Sequence, residues 1–304
     1  LSPNNDVQPF DAEIAKTWFP VDFYDGGDHA TMHLLYSRFI TRFFYKLGLS
    51  PTPEPFKKFL FHGKVTASDG TMFSKSKGNG VDPLEIIKSG YGADALRTYL
   101  MFAAPLDLWI RWDPQGVPGT YRFLNRIWNL SQEFLQTDND NQQNIDVLRA
   151  IHPAIKKVTS DIADLKYNTA IAALMKCVND LYEIKAKNGF SGGESWQFAI
   201  DSIVMLVAPF APHTAEELWS ELGNVDSVHI DHWPDWNNDY LVGDTIKIAV
   251  QINGKVRSVV EVSPEASEQE VIAIAMKDNK VKGHLNGQPK KTIYIKGKLV
   301  SLVV

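Results

Sequence analysis

Two lysines, two serines and two glycines fall within the ten residues Thr71-Met72-Phe73-Ser74-Lys75-Ser76-Lys77-Gly78-Asn79-Gly80. Ammonium groups, hydroxyls and free backbone N–H groups on one short loop suit an anion, above all phosphate. The loop runs into Val81-Asp82-Pro83-Leu84-Glu85, which reads as a helix start. Asp82 is a good N-cap, Pro83 suits the first helical position, and Glu85 has capping-box spacing. A helix N-terminus adds its own attraction for anions. Taken alone, such a run is also what a solvated lysine turn looks like, and short motifs match by chance. Upstream stands a second group, Gly26-Gly27-Asp28-His29 and His33. The glycine pair lets backbone approach a ligand closely, and His29 and His33, four apart, share one helical face. An H-x-x-x-H pair can take zinc, but the Glu of H-E-x-x-H is absent and no third ligand stands nearby. No metal is therefore expected, and the pair reads as lining a cleft or as hydrogen-bonded core histidines.

The elements that must position these groups follow from pattern and punctuation. Residues 22–24 read as the end of a short strand before the Gly26-Gly27 turn, and a helix is expected from Asp28 to Leu47, stopped by Gly48. Pro51, Pro53 and Pro55 make an extended connection. Phe59–Thr66 reads as one strand ending just before the lysine loop. Strand, loop, helix is how an open α/β sheet presents a ligand site at its carboxyl edge. Gly90 and Gly92 break the chain before a helix at 93–104, and the irregular stretch 107–118 marks a domain boundary. Helical periodicity then runs over 120–136, 146–164, 168–187 and 195–208, as in a bundle. Arg122, Asn125, Arg126 and Asn129 form a polar stripe on the first of these, facing either RNA or solvent. Thr214-Ala215-Glu216-Glu217 has capping-box spacing for a further helix. After a linker at 232–239, Thr245–Ile252 and Lys255–Val262 flank Asn253-Gly254, a strong hairpin signal. A helix over Ser267–Ala275 and strands at Lys291–Ile295 and Leu299–Val304 complete a small α/β module.

Bulk properties narrow the class. With 304 residues, 44% hydrophobic and 22% charged, the chain is ordinary globular material for two or more domains. Its one cysteine, Cys177, excludes a disulfide framework and a multi-cysteine zinc site. This fits a reducing, cytoplasmic setting. No run of about 20 apolar residues predicts a membrane span, and Leu-Ser-Pro-Asn-Asn-Asp is no signal peptide. The missing initiator Met suggests a fragment or a split subunit. The net charge of −5 is uneven: residues 240–304 carry +4 and residues 1–239 carry −9. Seven lysines and one acid lie between Lys277 and Lys298. A basic end on an acidic body suits a polyanion such as RNA, or is simply a solvated lysine face.

Ser74-Lys75-Ser76-Lys77-Gly78-Asn79 followed by Val81-Asp82-Pro83 resembles the second signature loop, K-M-S-K-S, of class I aminoacyl-tRNA synthetases. Tyr24-Asp25-Gly26-Gly27-Asp28-His29-Ala30-Thr31-Met32-His33-Leu34-Leu35-Tyr36-Ser37-Arg38-Phe39 resembles the G-G-x-E-H-A…H-L-L-Y-x-R-F segment of leucyl-tRNA synthetases. Ala208-Pro209-Phe210-Ala211-Pro212-His213, running on to Glu216-Glu217-Leu218-Trp219, looks like part of that group's anticodon-binding bundle. The last 65 residues are similar to the C-terminal domain with which bacterial leucine enzymes hold tRNA. The resemblance implies a mixed fold, α/β plus all-α. Residues 1–66 would be half of a Rossmann-like nucleotide-binding domain and 67–117 the signature loop and its connection. Residues 118–236 would be the anticodon-binding bundle and 240–304 a small α/β tRNA-binding domain. It implies leucine activation with ATP and Mg2+, and transfer to leucine tRNA. Lys75 would hold the ATP phosphates, helped by Ser74, Ser76 and Lys77. Gly26, Gly27, Asp28 and His29 would lie against the adenylate, and His33 would line the leucine pocket. Arg122, Arg126, Lys255, Arg257, Lys290 and Lys291 are the cations expected to meet tRNA. No zinc is predicted.

This sequence departs from the family pattern at three points. Met72-Phe73 stand where Lys-Met is usual, so Lys75 should carry more and Lys77 is the nearest replacement. Gly26-Gly27 is followed directly by Asp28-His29, one residue short of G-G-x-E-H. No H-I-G-H-like motif and no editing insertion occur. A complete activity would then need an N-terminal catalytic half, in cis or as a partner chain. The alternatives are a tRNA-binding subunit without catalysis, or a related enzyme for another aliphatic amino acid. Against the latter, one cysteine rules out the zinc domain expected of an isoleucine enzyme. The strand-like end is likewise unlike the helical arm expected of a valine enzyme.

Overall fold

The computed structural model describes residues 2–26, 30–138, 140, 142–241, 246–263, 266–285, 287 and 289–303, without the side chain of Lys75. In chain order the elements are α1 (Ala12–Trp18), β1 (Val21–Gly26), a π-helical run (Ala30–Ser37) continuing as α2 (Arg38–Lys46), β2 (Phe56–Phe61) and β3 (Val65–Thr66). There follow α3 (Pro83–Ile86), α4 (Gly92–Phe102), β4 (Ile110–Arg111), α5 (Gly116–Leu135), α6 (Ile145–Ala163), α7 (Tyr167–Asn188), α8 (Gly193–Val207) and α9 (Pro212–Glu221). The last part holds β5 (Ile246–Ile252), β6 (Lys255–Val262), α10 (Glu268–Lys277), α11 (Asn279–Lys282), β7 (Lys291–Ile295) and β8 (Leu299–Val303). The chain divides into two compact units: Leu1–Glu133 with Lys157–Val178 and Val204–Asp231, and Phe134–Lys156 with Asn179–Ile203 and His232–Val304.

In the first unit β1 and β2 pair in parallel, Val21 opposite Phe56 and Gly26 opposite Phe61, and β3 pairs in parallel with β4. The single strand expected over Phe59–Thr66 is therefore two. The break is at Gly63, whose N–H donates to the Leu106 carbonyl at 2.7 Å. A Cβ there would lie 1.9 Å from the Leu108 carbonyl oxygen, so only glycine lets the chain change partners at this point. The helix expected from Asp28 to Leu47 also differs, being π-helical over Ala30–Ser37. Ser37 Oγ donates to the His33 carbonyl and Thr41 Oγ1 to the Ser37 carbonyl, hydroxyls competing for the ladder's acceptors. Arg38 and Arg42 both hold Glu54, fastening the proline-rich connection to α2. Helix α5 buries Phe123, Leu124, Ile127 and Leu130, and Thr120 Oγ1 donates to the Ala95 carbonyl of α4 at 2.8 Å. Each such apolar side chain contributes roughly 1.5–3 kcal/mol on burial.

The helix expected from Thr214 starts two residues earlier, with Pro212 in its first turn and no side-chain cap from its own N-cap, Ala211. Thr214 does not close a capping box. Its N–H and its hydroxyl both donate to Asp94 Oδ2 of α4, at 2.6 and 2.7 Å. A carboxylate 120 residues away thus does the work of the cap.

In the second unit Ile151, Ile155, Leu181, Trp196, Ile200 and Ile203 are buried. His152 accepts the Asn237 N–H at Nδ1, and its ring lies between Phe198 and Tyr240, at 5.0 and 4.9 Å. The sheet runs β6-β5-β8-β7, with β5 and β8 parallel and the other pairs antiparallel. Its alternate residues Ile248, Val250, Val260, Val300 and Leu302 pack on Val271, Ala275 and Val281 of α10 and α11. Asn253 takes φ +47 and Gly254 φ +79 at the expected hairpin turn. Ser267 and Glu270 form the complete capping box of α10.

Candidate anion-binding loop and its surroundings

Strand β3 ends in a tight turn. Ala67 N–H donates to the Thr71 carbonyl and Gly70 N–H to the Ala67 carbonyl, both at 2.8 Å, and Thr66 bridges Met72. Asp69 Oδ1 accepts the N–H and the hydroxyl of Thr71 at 2.8 Å, and these bonds hold its carboxyl below the usual range. Beyond the turn, Lys75–Lys77 form one 3-10 turn. The hydroxyls of Ser74 and Ser76 meet at 2.8 Å, leaving one hydroxyl hydrogen between them for a ligand.

Asn79 ties this loop together. Its Oδ1 accepts the Ser74 N–H at 2.9 Å, and its Nδ2 donates to Thr71 Oγ1 at 3.1 Å and to the Met72 carbonyl at 3.2 Å. Gly78, with φ +60, turns the chain so that this side chain reaches back. Asp82 then caps α3, accepting the Leu84 N–H at 2.9 Å with Pro83 in the first turn. Expectation had placed the chemistry on the lysines and serines. Asn79 was missed, although a Gly-Asn pair closing a polar loop is a turn signal.

Gly26 ends β1, and a Cβ on it would come within 3.2 Å of His33 Nδ1. The absent side chain is what lets the imidazole close on the strand end. The His33 ring lies 4.6 Å from that of Tyr24 and 6.3 Å from that of Phe59. Gly26 and His33 thus lie side by side. Gly27, Asp28 and His29 lie outside the described residues, as does the side chain of Lys75. Lys77 is exposed and adds positive charge near Asp69. A cavity of about 260 Å³ adjoins the strand ends, lined by Asp25, His62 and Lys64 among others. Among the described residues, none of those expected to bind nucleotide lines it. Among the described residues no group of three or more His, Cys, Asp or Glu could hold a metal ion.

The expected RNA-facing cations fall into two sets. Arg122, with Asn125 and Asn129, is exposed on α5, and Arg126 beside them is half-buried. Lys255 and Arg257 lie on one edge strand of the four-stranded sheet, Lys290 and Lys291 at the start of the opposite edge. The register Lys255–Ile252–Leu302–Thr292 puts both pairs at one end of the sheet. Three strand spacings, about 14 Å, separate them. A register shift at Val250/Gln251 bulges β6 at Arg257. No described helix is long and apolar enough to cross a membrane.

Residues 2–113 match the family of class I tRNA synthetases for I, L, M and V, and residues 145–272 the anticodon-binding domain of tRNA ligase. The leucine–tRNA ligase of Geobacter sp. (strain M21) is 42% identical over 315 residues, covering all of this chain and 38% of the relative. That of Dehalococcoides mccartyi (strain CBDB1) is 41% identical over 306 residues, covering all of this chain and 37% of the relative. The structure of Agrobacterium radiobacter K84 LeuRS in a ternary complex with tRNA and LeuAMS superposes with a TM-score of 0.70 at 32% identity, over 97% of this chain and 39% of that one. Mycobacterium tuberculosis methionyl-tRNA synthetase shares the fold, with a TM-score of 0.58 at 18% identity over 72% of this chain and 48% of its own. The chain spans less than two-fifths of the length of the leucine enzymes it matches. It belongs to the leucine–tRNA ligase family of class I synthetases, and matches the C-terminal part of its relatives.

Proposed function

We propose that this chain supplies the phosphate-binding loop and the tRNA-holding domains of a leucine–tRNA ligase, whose remaining catalytic part comes from polypeptide outside this sequence. A leucine carboxylate oxygen attacks the α-phosphorus of ATP, the bond to the β-phosphoryl oxygen breaks, and leucyl-adenylate and pyrophosphate result. A terminal ribose hydroxyl of leucine tRNA then takes the acyl group and AMP leaves. Such chemistry is mostly positioning and charge neutralisation. Lys75 neutralises charge on the leaving phosphates, with Ser74, Ser76 and Lys77 shaping and assisting the loop. Gly26 and His33 line the adenylate and leucine side, with Gly27, Asp28 and His29 completing it. Mg2+ would come with ATP, held on its phosphates, where it would neutralise part of their charge.

In this reading residues 1–66 and 67–117 serve catalysis, and 118–236 and 240–304 hold tRNA through Arg122, Arg126, Lys255, Arg257, Lys290 and Lys291. The observation that carries the reading is the loop tied by Asn79 directly after a parallel strand and before a capped helix. Its family match over residues 2–113 adds support. The need for further polypeptide is supported by Leu35, Phe39 and Phe43. They recur every four residues and are 58%, 65% and 51% exposed. A stripe of this size on a helix that buries only Thr41 suits a covering partner.

The test is co-expression with the N-terminal portion of a matching leucine enzyme. Leucine-dependent ATP–pyrophosphate exchange should appear, with isoleucine, valine and methionine inactive at equal concentration. Exchange that never appears, beside salt-dependent binding of leucine tRNA, would replace the enzyme reading with the tRNA-binding one.

A further inference from the structure

A second cavity, of about 380 Å³, lies in the first unit between α4, α5 and α9. Its size is that of a small-molecule site. Tyr91, Tyr121 and Trp128 give it aromatic walls, and Leu124 is buried beneath. Tyr121, Asn125 and Trp128 come from one face of α5 at spacings of four and three. Tyr91 stands between Gly90 (φ +94) and Gly92 (φ +77), where two left-handed residues carry its ring out to the cavity rim. It meets the Tyr121 ring edge-on at 5.5 Å.

The polar side is equally defined. His213 Nδ1 lies 2.8 Å from Asp94 Oδ1, and the Asp94 carboxylate is almost wholly buried while His213 is 77% exposed. A carboxylate only accepts, so the proton of the neutral ring sits on Nδ1 and Nε2 presents a lone pair outward. Exposed Asn125 offers both a donor and an acceptor. None of the described lining residues is a lysine or arginine, and the buried charge in the wall is negative. Phosphate is therefore disfavoured inside. Of the two arginines on this helix, both outside the lining, Arg122 is the exposed one and stands one residue along from Tyr121.

Flat apolar walls, a donor–acceptor pair at the rim, no cation within and a cation beside: the geometry points to a pocket for one unstacked nucleobase of a bound RNA, whose phosphate meets Arg122. Unpaired bases are held in this way, stacked on aromatic rings and hydrogen-bonded along an edge. The inference rests on the reading that this chain holds tRNA, and adds that one base leaves its stack to do so.

The experiment is filter binding of a leucine tRNA transcript to the full-length protein across a salt series, with Tyr121→Leu, Tyr121→Phe, Asn125→Ala and Arg122→Ala. Tyr121→Leu and Asn125→Ala should each weaken binding by roughly 5- to 100-fold at an unchanged salt slope. Tyr121→Phe should bind as wild type. Arg122→Ala should lower the slope by about one. Base-specific chemical probing should show one base protected by wild type and released in Asn125→Ala. If wild type binds and both pocket variants bind equally well, the pocket is refuted while the tRNA reading stands. If wild type does not bind, both fall together.

Discussion

Replacing Asn79 by alanine should unfasten the lysine loop without unfolding the protein. The side chain makes three hydrogen bonds, to Ser74 N–H, Thr71 Oγ1 and the Met72 carbonyl. A protein hydrogen bond contributes about 0.5–1.5 kcal/mol net. The two donated bonds reach atoms at the surface, where water replaces a lost partner, so they belong at the low end. The Ser74 N–H is partly buried and its bond belongs at the high end. The sum is about 2.5 kcal/mol, or roughly a 70-fold shift towards the open loop. Hydrogen–deuterium exchange of the Ser74 amide reads that shift directly. It should accelerate by nearly two orders of magnitude, roughly 70-fold, in Asn79→Ala, while amides in α5 and α7 keep their protection. Asn79→Asp keeps the acceptor for Ser74 and loses both donors, so its acceleration should be smaller. In the complemented enzyme the KM for ATP should rise more than kcat falls. Equal Ser74 exchange in wild type and Asn79→Ala would refute the reasoning, because the loop would then be held by something other than this amide.

Asp94→Ala removes a buried acceptor of three hydrogen bonds and should destabilise by about 2–3 kcal/mol in urea unfolding; a loss under 0.5 kcal/mol would show that water fills the site. Burial pushes the Asp94 carboxyl up, but its bonds to His213 and Thr214 outweigh this and hold it below its ordinary value. Its stabilisation is thus present above the unfolded pKa and fades as pH falls through the lower folded one. Glu54, held to about 2 by Arg38 and then Arg42, should keep its carbon-13 carboxylate shift down to nearly that pH, and titrate normally in Arg38→Ala/Arg42→Ala. Gly63→Ala puts a methyl 1.9 Å from the Leu108 carbonyl and should cost about 3 kcal/mol or more, lowering soluble yield sharply; a wild-type melting curve would contradict the close approach.

Helices with a steady apolar stripe were legible from the sequence, as was the hairpin at Asn253-Gly254, because pattern and turn chemistry there are local. The lysine loop and its capped helix were legible for the same reason. What was not legible depends on partners far along the chain. Nothing near Gly63 announces that its strand must change partners, since the Leu106 and Leu108 carbonyls lie more than forty residues on. Thr214 carries a sound capping-box spacing, yet its hydroxyl goes to Asp94, a tertiary bond that local propensity cannot anticipate. The π-helical run over Ala30–Ser37 is concealed in a sequence read at a period of 3.6.

The central claim is that the ammonium group of Lys75, on this fastened loop, neutralises the phosphates that leave as leucine is activated. Leucine-dependent ATP–pyrophosphate exchange by Lys75→Ala in the complemented enzyme tests it most directly. A fall of about 10²-fold or more, mostly in kcat, is expected for the loss of a transition-state charge contact. Exchange at the wild-type rate would contradict it.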